Sequence, residues 1–474
     1  MNLFRLLLAA LFVLGTPTSF ARETPTPAVE LGGVGVSDAQ LGADYWIARQ
    51  TAADQVILGR SGILAQNAQL MREDASMHDL RGLSSTLDRK QVATWIEGLA
   101  DAPQSPLYDV DGKPVAATVL EAILANRQLD GIPASQATRY GLVVQRADLR
   151  TFPTHLRVFR SADDTDIDRF QESGVFPGTP VVIAHVSADG RWWFVVSPSY
   201  AAWIEARSVA IGTAKQVFGY VDKSPYRIVT GASVHTVFTR EAPALSELQL
   251  DMGVRVPLWT DWPAETPVNG QHAYTAHVIE LPTRGTDGSL GFAPALLQKN
   301  ADTAADYLPL TRSNILRQAF KFLGERYGWG HAYNGRDCSG FVAEVYRSMG
   351  VMMPRNTSDQ SVSPAFAKHI FTEADTPAQR SEAAHAAELG DLVYIPGHVM
   401  LVIGSMNGDP WVIHDTTGAT VRTADGRRVR VKLNAVSVTP LVPLQFNDSE
   451  SYIDRMRSIV RIRPLPATEA PNHP

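Results

Sequence analysis

One cysteine, Cys338, stands among 474 residues, within Arg336-Asp337-Cys338-Ser339-Gly340-Phe341. It has no partner for an intramolecular disulfide and cannot build a multi-thiolate metal site. A lone thiol in an exported chain reads as a reactive group. Asp337 is placed to cap a helix that Cys338 opens. Phe341, Val342, Val345, Tyr346 and Met349 give that helix a buried face. A thiol there sits at the positive end of the helix dipole, which favours the nucleophilic thiolate. The competing reading is an inert buried cysteine, the common fate of a single Cys.

A cysteine nucleophile needs a base, and twelve histidines are available. The segment His398–Ile403, a turn through Gly404–Pro410, and Trp411–His414 read as a hairpin. Closed symmetrically about residue 406, it sets His398 opposite His414 on one sheet face. His398 is then the candidate base and His414 its orienting partner. A one-residue slip would separate the two rings. Spacing gives neither ring a distance to Cys338, so two unrelated half-buried histidines remain the alternative. Scattered Asp and Glu form no spaced ligand set, so no metal and no cofactor are expected.

These groups need a scaffold. Ser313–Tyr327 and Cys338–Met349 read as helices, the second stopped by Gly350. Asp391–Ile395, His398–Ile403, Trp411–His414 and Val429–Leu433 read as strands. Together they predict an α+β domain over 308–463 with an antiparallel sheet. Upstream, strand-like runs recur about every ten residues. They are Leu156–Phe159, Pro180–Ala184, Trp192–Val196, Ala201–Ile204 and Val209–Ile211. They predict a small all-β barrel over 146–215. Arg227–Val229, His235–Phe238 and Ala276–Ile279 predict another over 216–307. Residues 30–145 read as a helical stabilising region, with Val92, Trp95, Ile96 and Leu99 on one helix face and Val119, Leu120, Ile123 and Leu124 on another.

The remaining signals bound the class. Met1–Arg5, the apolar run Leu6–Leu14 and Ser19-Phe20-Ala21 predict a secretory signal over 1–21. No cysteine stands there to carry a lipid, and no later stretch is long and apolar enough to span a bilayer. The expected protein is multidomain, exported to the periplasm or secreted, without a transmembrane anchor, and a monomer. Formal net charge is -6 with no basic tract, which removes support for nucleic-acid binding. Thr24–Val29 reads as a flexible lead-in and 464–474 as a disordered tail.

Tyr327-Gly328-Trp329-Gly330, Asp337-Cys338-Ser339-Gly340-Phe341, Gly390-Asp391-Leu392-Val393 and Gly397-His398-Val399, in that order, resemble the NlpC-type cysteine peptidases of bacterial cell-wall peptides. The resemblance covers about 310–460 and implies a papain-like fold. The layout of signal, helical region, two bacterial SH3 domains and peptidase resembles a branch of γ-D-glutamyl-L-diamino acid endopeptidases. The resemblance implies Cys338 as nucleophile, His398 as base and His414 as orienting residue. It implies Tyr327 as a hydroxyl beside the nucleophile, aiding the oxyanion site, and Ser339 as flanking the substrate. In some relatives an Asp-Ser pair binds the free amine of L-Ala, where this chain has Asn356-Thr357. An amide lacks the charge that a carboxylate offers an ammonium. His331 stands where the family often has a glycine, and reads as an exposed histidine without a role. The resemblance also implies that the first SH3 domain closes one end of the cleft, with Tyr200 touching the substrate end.

The reaction this implies is acyl transfer from the γ-carbonyl of D-Glu to water through a thioester, on peptidoglycan peptides with a free N-terminal L-Ala. Two rivals stay open: a non-catalytic wall-binding protein, and an acyltransferase or amidase using the same Cys-His chemistry.

Overall fold

The computed structural model describes residues 35–423 and 425–464. The expected signal, the Thr24–Val29 lead-in and the tail beyond Pro464 lie outside the described residues. Among the described residues no helix is long and apolar enough to cross a membrane.

The first β block is one antiparallel seven-stranded sheet. Its order is 209–212, 139–143, 180–186, 192–196, 201–205, 147–150, 171–175. The run Trp192-Trp193-Phe194-Val195-Val196 is apolar at every position because both of its faces are covered. Trp193 and Val195 point into the barrel with Val181, Ile183 and Ile204. Trp192, Phe194 and Val196 point outward, where Leu87, Val92 and Ile96 pack over them. Each such large apolar side chain contributes about 1.5–3 kcal/mol on burial.

The region expected to be a helical unit of its own is therefore shared out among its neighbours. Helix Arg89–Glu97, capped by Asp88, covers the first β block. Trp46, Ile63 and Leu70 join the core of the C-terminal domain. Helix Ala117–Asn126 sets only partly buried residues against Phe152 and Phe170, and Val119 is exposed rather than packed. Leu156–Phe159, expected as a strand, is irregular chain pinned to Asp168 and Tyr108, although Val158 and Phe159 are buried. The strand Gln171–Val175 was not foreseen. Its sequence, Gln-Glu-Ser-Gly-Val, has none of the apolar alternation that marks a strand.

The second β block holds two small sheets and the long hairpin Ala276–Arg284 with Leu290–Gln298. His235–Phe238 leaves the sheet at His235, and Phe238 is exposed.

The C-terminal domain is α+β. Its six-stranded sheet runs 367–370, 458–461, 392–395, 398–406, 409–416, 435–440, antiparallel throughout. Helix Cys338–Arg347 packs on it through Phe341, Val342, Val345 and Tyr346, all with no exposed surface. The helix expected over Ser313–Tyr327 stops at Phe320. Gly324 turns the chain at φ +80, and Glu325–Tyr327 then lies along the edge of strand Ala435–Pro440. There Tyr327 N donates to Asn434 O and Val436 N to Glu325 O. Sheet pairing, not a helix, positions Tyr327.

Candidate active site

Asp337 starts the site. Its Oδ1 accepts from Gly340 N at 2.9 Å, the N-cap bond, and its Oδ2 accepts from Gly330 N at 3.0 Å and from Arg355 Nη2 at 2.7 Å. Burial pushes this carboxyl up, but Arg355 and the bonds it accepts hold it down at about 2. The cap thus ties the Cys338 helix to the 327–334 loop and to Arg355. Gly340 has to be glycine: a Cβ there would lie 2.6 Å from the His331 ring.

Cys338 is buried at the start of a helix that packs against strand His398–Met406, with the Val399 amide near enough to favour the thiolate. Burial and the Asp337 carboxylate push the thiol up to about 12, against the Val399 amide. This corrects the expectation that the helix end makes a thiolate. One dipole terminus does not offset full desolvation with a carboxylate one residue away. Tyr327 packs close to Cys338; burial and the neighbouring sulfur and carboxylates keep its phenol protonated, a donor.

His398 Nε2 lies 2.8 Å from His414 Nδ1, and His414 Nε2 lies 3.1 Å from Thr439 Oγ1. The expected register is two residues off. Leu401 faces Ile413 and a bulge at Gly404 shifts the hairpin, so His414 falls opposite Met400 rather than His398. An offset of two leaves both rings on one face as diagonal neighbours, within reach of each other. Burial lowers His398 to about 4 and holds His414 well below its ordinary value, so both rings are neutral.

The tautomers follow from the chain of bonds. For His398 Nδ1 to accept a proton, Nε2 must carry the N–H and donate it to His414 Nδ1. His414 then holds its proton on Nε2 and donates it to Thr439. Thr439, fully buried, has no signal in the sequence because only the sheet brings strand 435–440 beside 409–416.

His331 is the clearest reversal. It is 3% exposed rather than free, at φ +66, the left-handed region where glycine is usual. Its ring fills the gap between Gly174 and Gly340. Nε2 lies 3.1 Å from Glu344 Oε1 and Nδ1 lies 3.3 Å from Arg355 Nη2. Burial lowers it to about 4, so a neutral ring donates to Glu344 and accepts from Arg355.

Ser339 is committed to the protein: its Oγ accepts from Arg355 Nη1 at 2.8 Å and donates to Asp337 Oδ1 at 3.2 Å. Arg355 also donates to Ser173 Oγ at 2.7 Å, which ties the C-terminal domain to the first β block. Tyr200 comes to the same corner, beside Arg355 and Asn356, and donates to Glu172 Oε2 at 2.5 Å. Thr151 donates to Glu172 Oε1. Glu172 is half-buried, and sequence reasoning missed it because it lies in the unforeseen strand. Asn356 and Thr357 open the helix Thr357–Val362, both half-buried, and Asn356 makes no side-chain cap.

Among the described residues no group of three or more His, Cys, Asp or Glu could hold a metal ion. No curated protein matches the chain. Among solved structures, an NlpC/P60 endopeptidase from Photobacterium damselae subsp. piscicida is 16% identical with a TM-score of 0.70, covering 89% of this chain and 97% of that one. An NlpC/P60 family protein from Bacillus cereus ATCC 10987 is 18% identical with a TM-score of 0.46, covering 69% and 100%. Residues 157–205 match the SH3 domain of SH3b1 type. Residues 324–438, which carry Tyr327, Cys338, His398 and His414, match the NlpC/P60 family model, so the chain contains an NlpC/P60 domain behind an SH3b1-type domain.

Proposed function

We propose that the protein is an exported cysteine endopeptidase of peptidoglycan peptides, cutting the bond between γ-D-Glu and an L-diamino acid. The observation that carries this reading is the His398–His414–Thr439 chain on the sheet against which the helix opened by Cys338 packs, inside an NlpC/P60 domain. We read 216–307 as a second bacterial SH3 domain and the C-terminal fold as papain-like.

Thiol and imidazole rest neutral, so proton transfer accompanies attack. His398 Nδ1 takes the Sγ proton as sulfur adds to the γ-carbonyl, then gives it to the leaving amine. Held by His414, the ring keeps the tautomer this needs. The backbone amide of Cys338 and the Tyr327 hydroxyl are donors for the oxyanion. Water then attacks the thioester and releases the acyl product.

Glu172 answers the missing acidic residue at 356. It places a carboxylate beside Tyr200 and Asn356, where a free L-Ala ammonium would need one. The charge has moved from the peptidase domain to the SH3 domain, and the preference for an unblocked N-terminus survives the Asn.

The test is incubation with L-Ala-γ-D-Glu-diaminopimelate and mass spectrometry of the products. Release of L-Ala-D-Glu that Cys338→Ala abolishes supports the endopeptidase. Intact peptide together with retained wall binding favours the binding module, and transfer to an added amine favours the acyltransferase.

A further inference from the structure

The loop Trp329–Asn334 runs beside strand Gln171–Val175 of the first β block. Gln171 ties the two in both directions. Its carbonyl accepts from the Trp329 indole N–H at 2.9 Å, and its side-chain amide donates to Gly330 O at 2.8 Å. Arg146 of the same block donates to His331 O at 3.0 Å and to Gly335 O at 2.8 Å. Between block and helix stands the His331 ring. On one side lie Gly174, where an added Cβ would meet His331 Cβ at 2.8 Å, and Phe176, whose ring stands edge to face at 5.7 Å. On the other side lies Gly340, in the first turn of the helix that Cys338 opens. The ring also bonds Arg355 and Glu344. These belong to two ion pairs that hold this helix, Arg355 with the capping Asp337 and Glu344 with Arg336. Histidine holds this place at φ +66, a conformation that costs it free energy and glycine almost none. Such strain persists where the surroundings over-determine it, and it clusters at functional sites.

Resting on the reading of Cys338 as the nucleophile, we infer that His331 is a positioning residue: its ring is a wedge that carries the seating of the first β block onto the first turn of the Cys338 helix. A close-packed wedge passes a shift on rather than absorbing it. The block that presents Tyr200 and Glu172 thereby also sets the nucleophile.

The full chain is assayed on L-Ala-γ-D-Glu-diaminopimelate as His331→Gly, as Gly174→Ala and as the pair together. Glycine relieves the backbone but removes the wedge. We expect kcat to fall roughly ten- to a hundredfold, the cost of a small misplacement of the reacting group, with KM little changed. Gly174→Ala pushes the ring from the other side, leaves every bonded group in place, and should lower kcat by a similar factor. In the His331→Gly background the same alanine should cost nothing further, because the two changes act through one contact. His331→Asn tolerates a positive φ and offers a donor and an acceptor, so it should recover part of kcat. An unchanged kcat in Gly174→Ala overturns the inference, and that comparison does not depend on His331→Gly folding. Equal losses from the alanine in both backgrounds overturn it as well. Alkylation by iodoacetamide reads the thiol without any substrate, since Cys338 is the single cysteine of the chain. Water entering the gap beside Gly340 relieves part of the burial, so the alkylation midpoint in His331→Gly should fall by about one pH unit. A midpoint that does not move counts against His331. If the unmutated enzyme cleaves no peptide, the proposed function fails and alkylation alone decides His331. Cleavage at the same kcat in every variant keeps the proposed function and removes His331.

Discussion

Two buried clusters of titratable groups meet at Asp337, and they have opposite electrostatics. On one side, Arg336 is 1% exposed and bonds Glu344 at 2.6 Å, Asp251 at 2.9 Å and Glu325. Burial opposes charge on Arg336 and on Glu344, yet their mutual attraction wins: the guanidinium is held above and Glu344 below its ordinary value. On the other side, Cys338 and His414 are buried and His398 half-buried, and no opposite charge is hydrogen-bonded to any of them. There burial wins, and thiol and rings are neutral. Desolvation acts on both clusters; what differs is whether a counter-charge stands within hydrogen-bond reach. The first cluster joins domains, since Asp251 belongs to the second β block. The second keeps its protons until a substrate changes the surroundings.

The comparison breaks at its catalytic side first. His414→Ala should lower kcat by roughly 10²–10⁴-fold, the span of a lost acid–base function, because His398 loses its tautomer. A loss confined to KM would remove His414 from the chain. On the ion-paired side, Arg336→Ala should destabilise the fold by about 3–5 kcal/mol, since Glu344 and Asp251 would remain buried without their partner. Urea unfolding checks this, and a change within about 0.5 kcal/mol, as for a surface residue, would refute the cluster's role. Glu172→Gln should cut the preference for a free over an N-acetylated L-Ala by roughly tenfold or more, read as a ratio of kcat/KM. If the native enzyme cleaves the blocked peptide equally well, the amine assignment goes. Thr439→Val removes only a neutral acceptor, so a loss of about 0.5–1.5 kcal/mol, or a few-fold in kcat, is expected.

Protonation sharpens the contrast. Neutral His398 at about 4 means kcat/KM rises through an acid limb near pH 4, far below an ordinary histidine at 6.5. A thiol near 12 means that iodoacetamide alkylation of Cys338 keeps accelerating into the alkaline range as thiolate forms. A plateau of alkylation at neutral pH would show a resting ion pair and erase the distinction between the two clusters.

Legibility in the sequence followed the range of the forces involved. The N-cap, the helix face behind Cys338, the Gly350 stop and the paired parity of His398 and His414 all rest on neighbours within one or two turns or strands. Parity survived a wrong register because side chains on a strand repeat every two residues. His331 was misread because nothing local shows that Gly174 and Gly340 leave a gap the size of its ring. Glu172 was missed because its strand is polar and is held by pairing with 147–150. The end of the helix before Tyr327 was misplaced because an edge pairing more than a hundred residues away in sequence competed with helix propensity.

By itself, then, the sequence determined the lone cysteine at a helix start, that helix's buried face, the face shared by the two histidines and the order of the β and α segments, since periodicity and capping act over a few residues. Only the tertiary structure decided the protonation of Cys338 and His398, the partners of Arg336 and Arg355, and the meeting of Glu172 with Tyr200. Charge in a protein interior depends on burial and on groups brought within about 4 Å, and sequence distance carries neither.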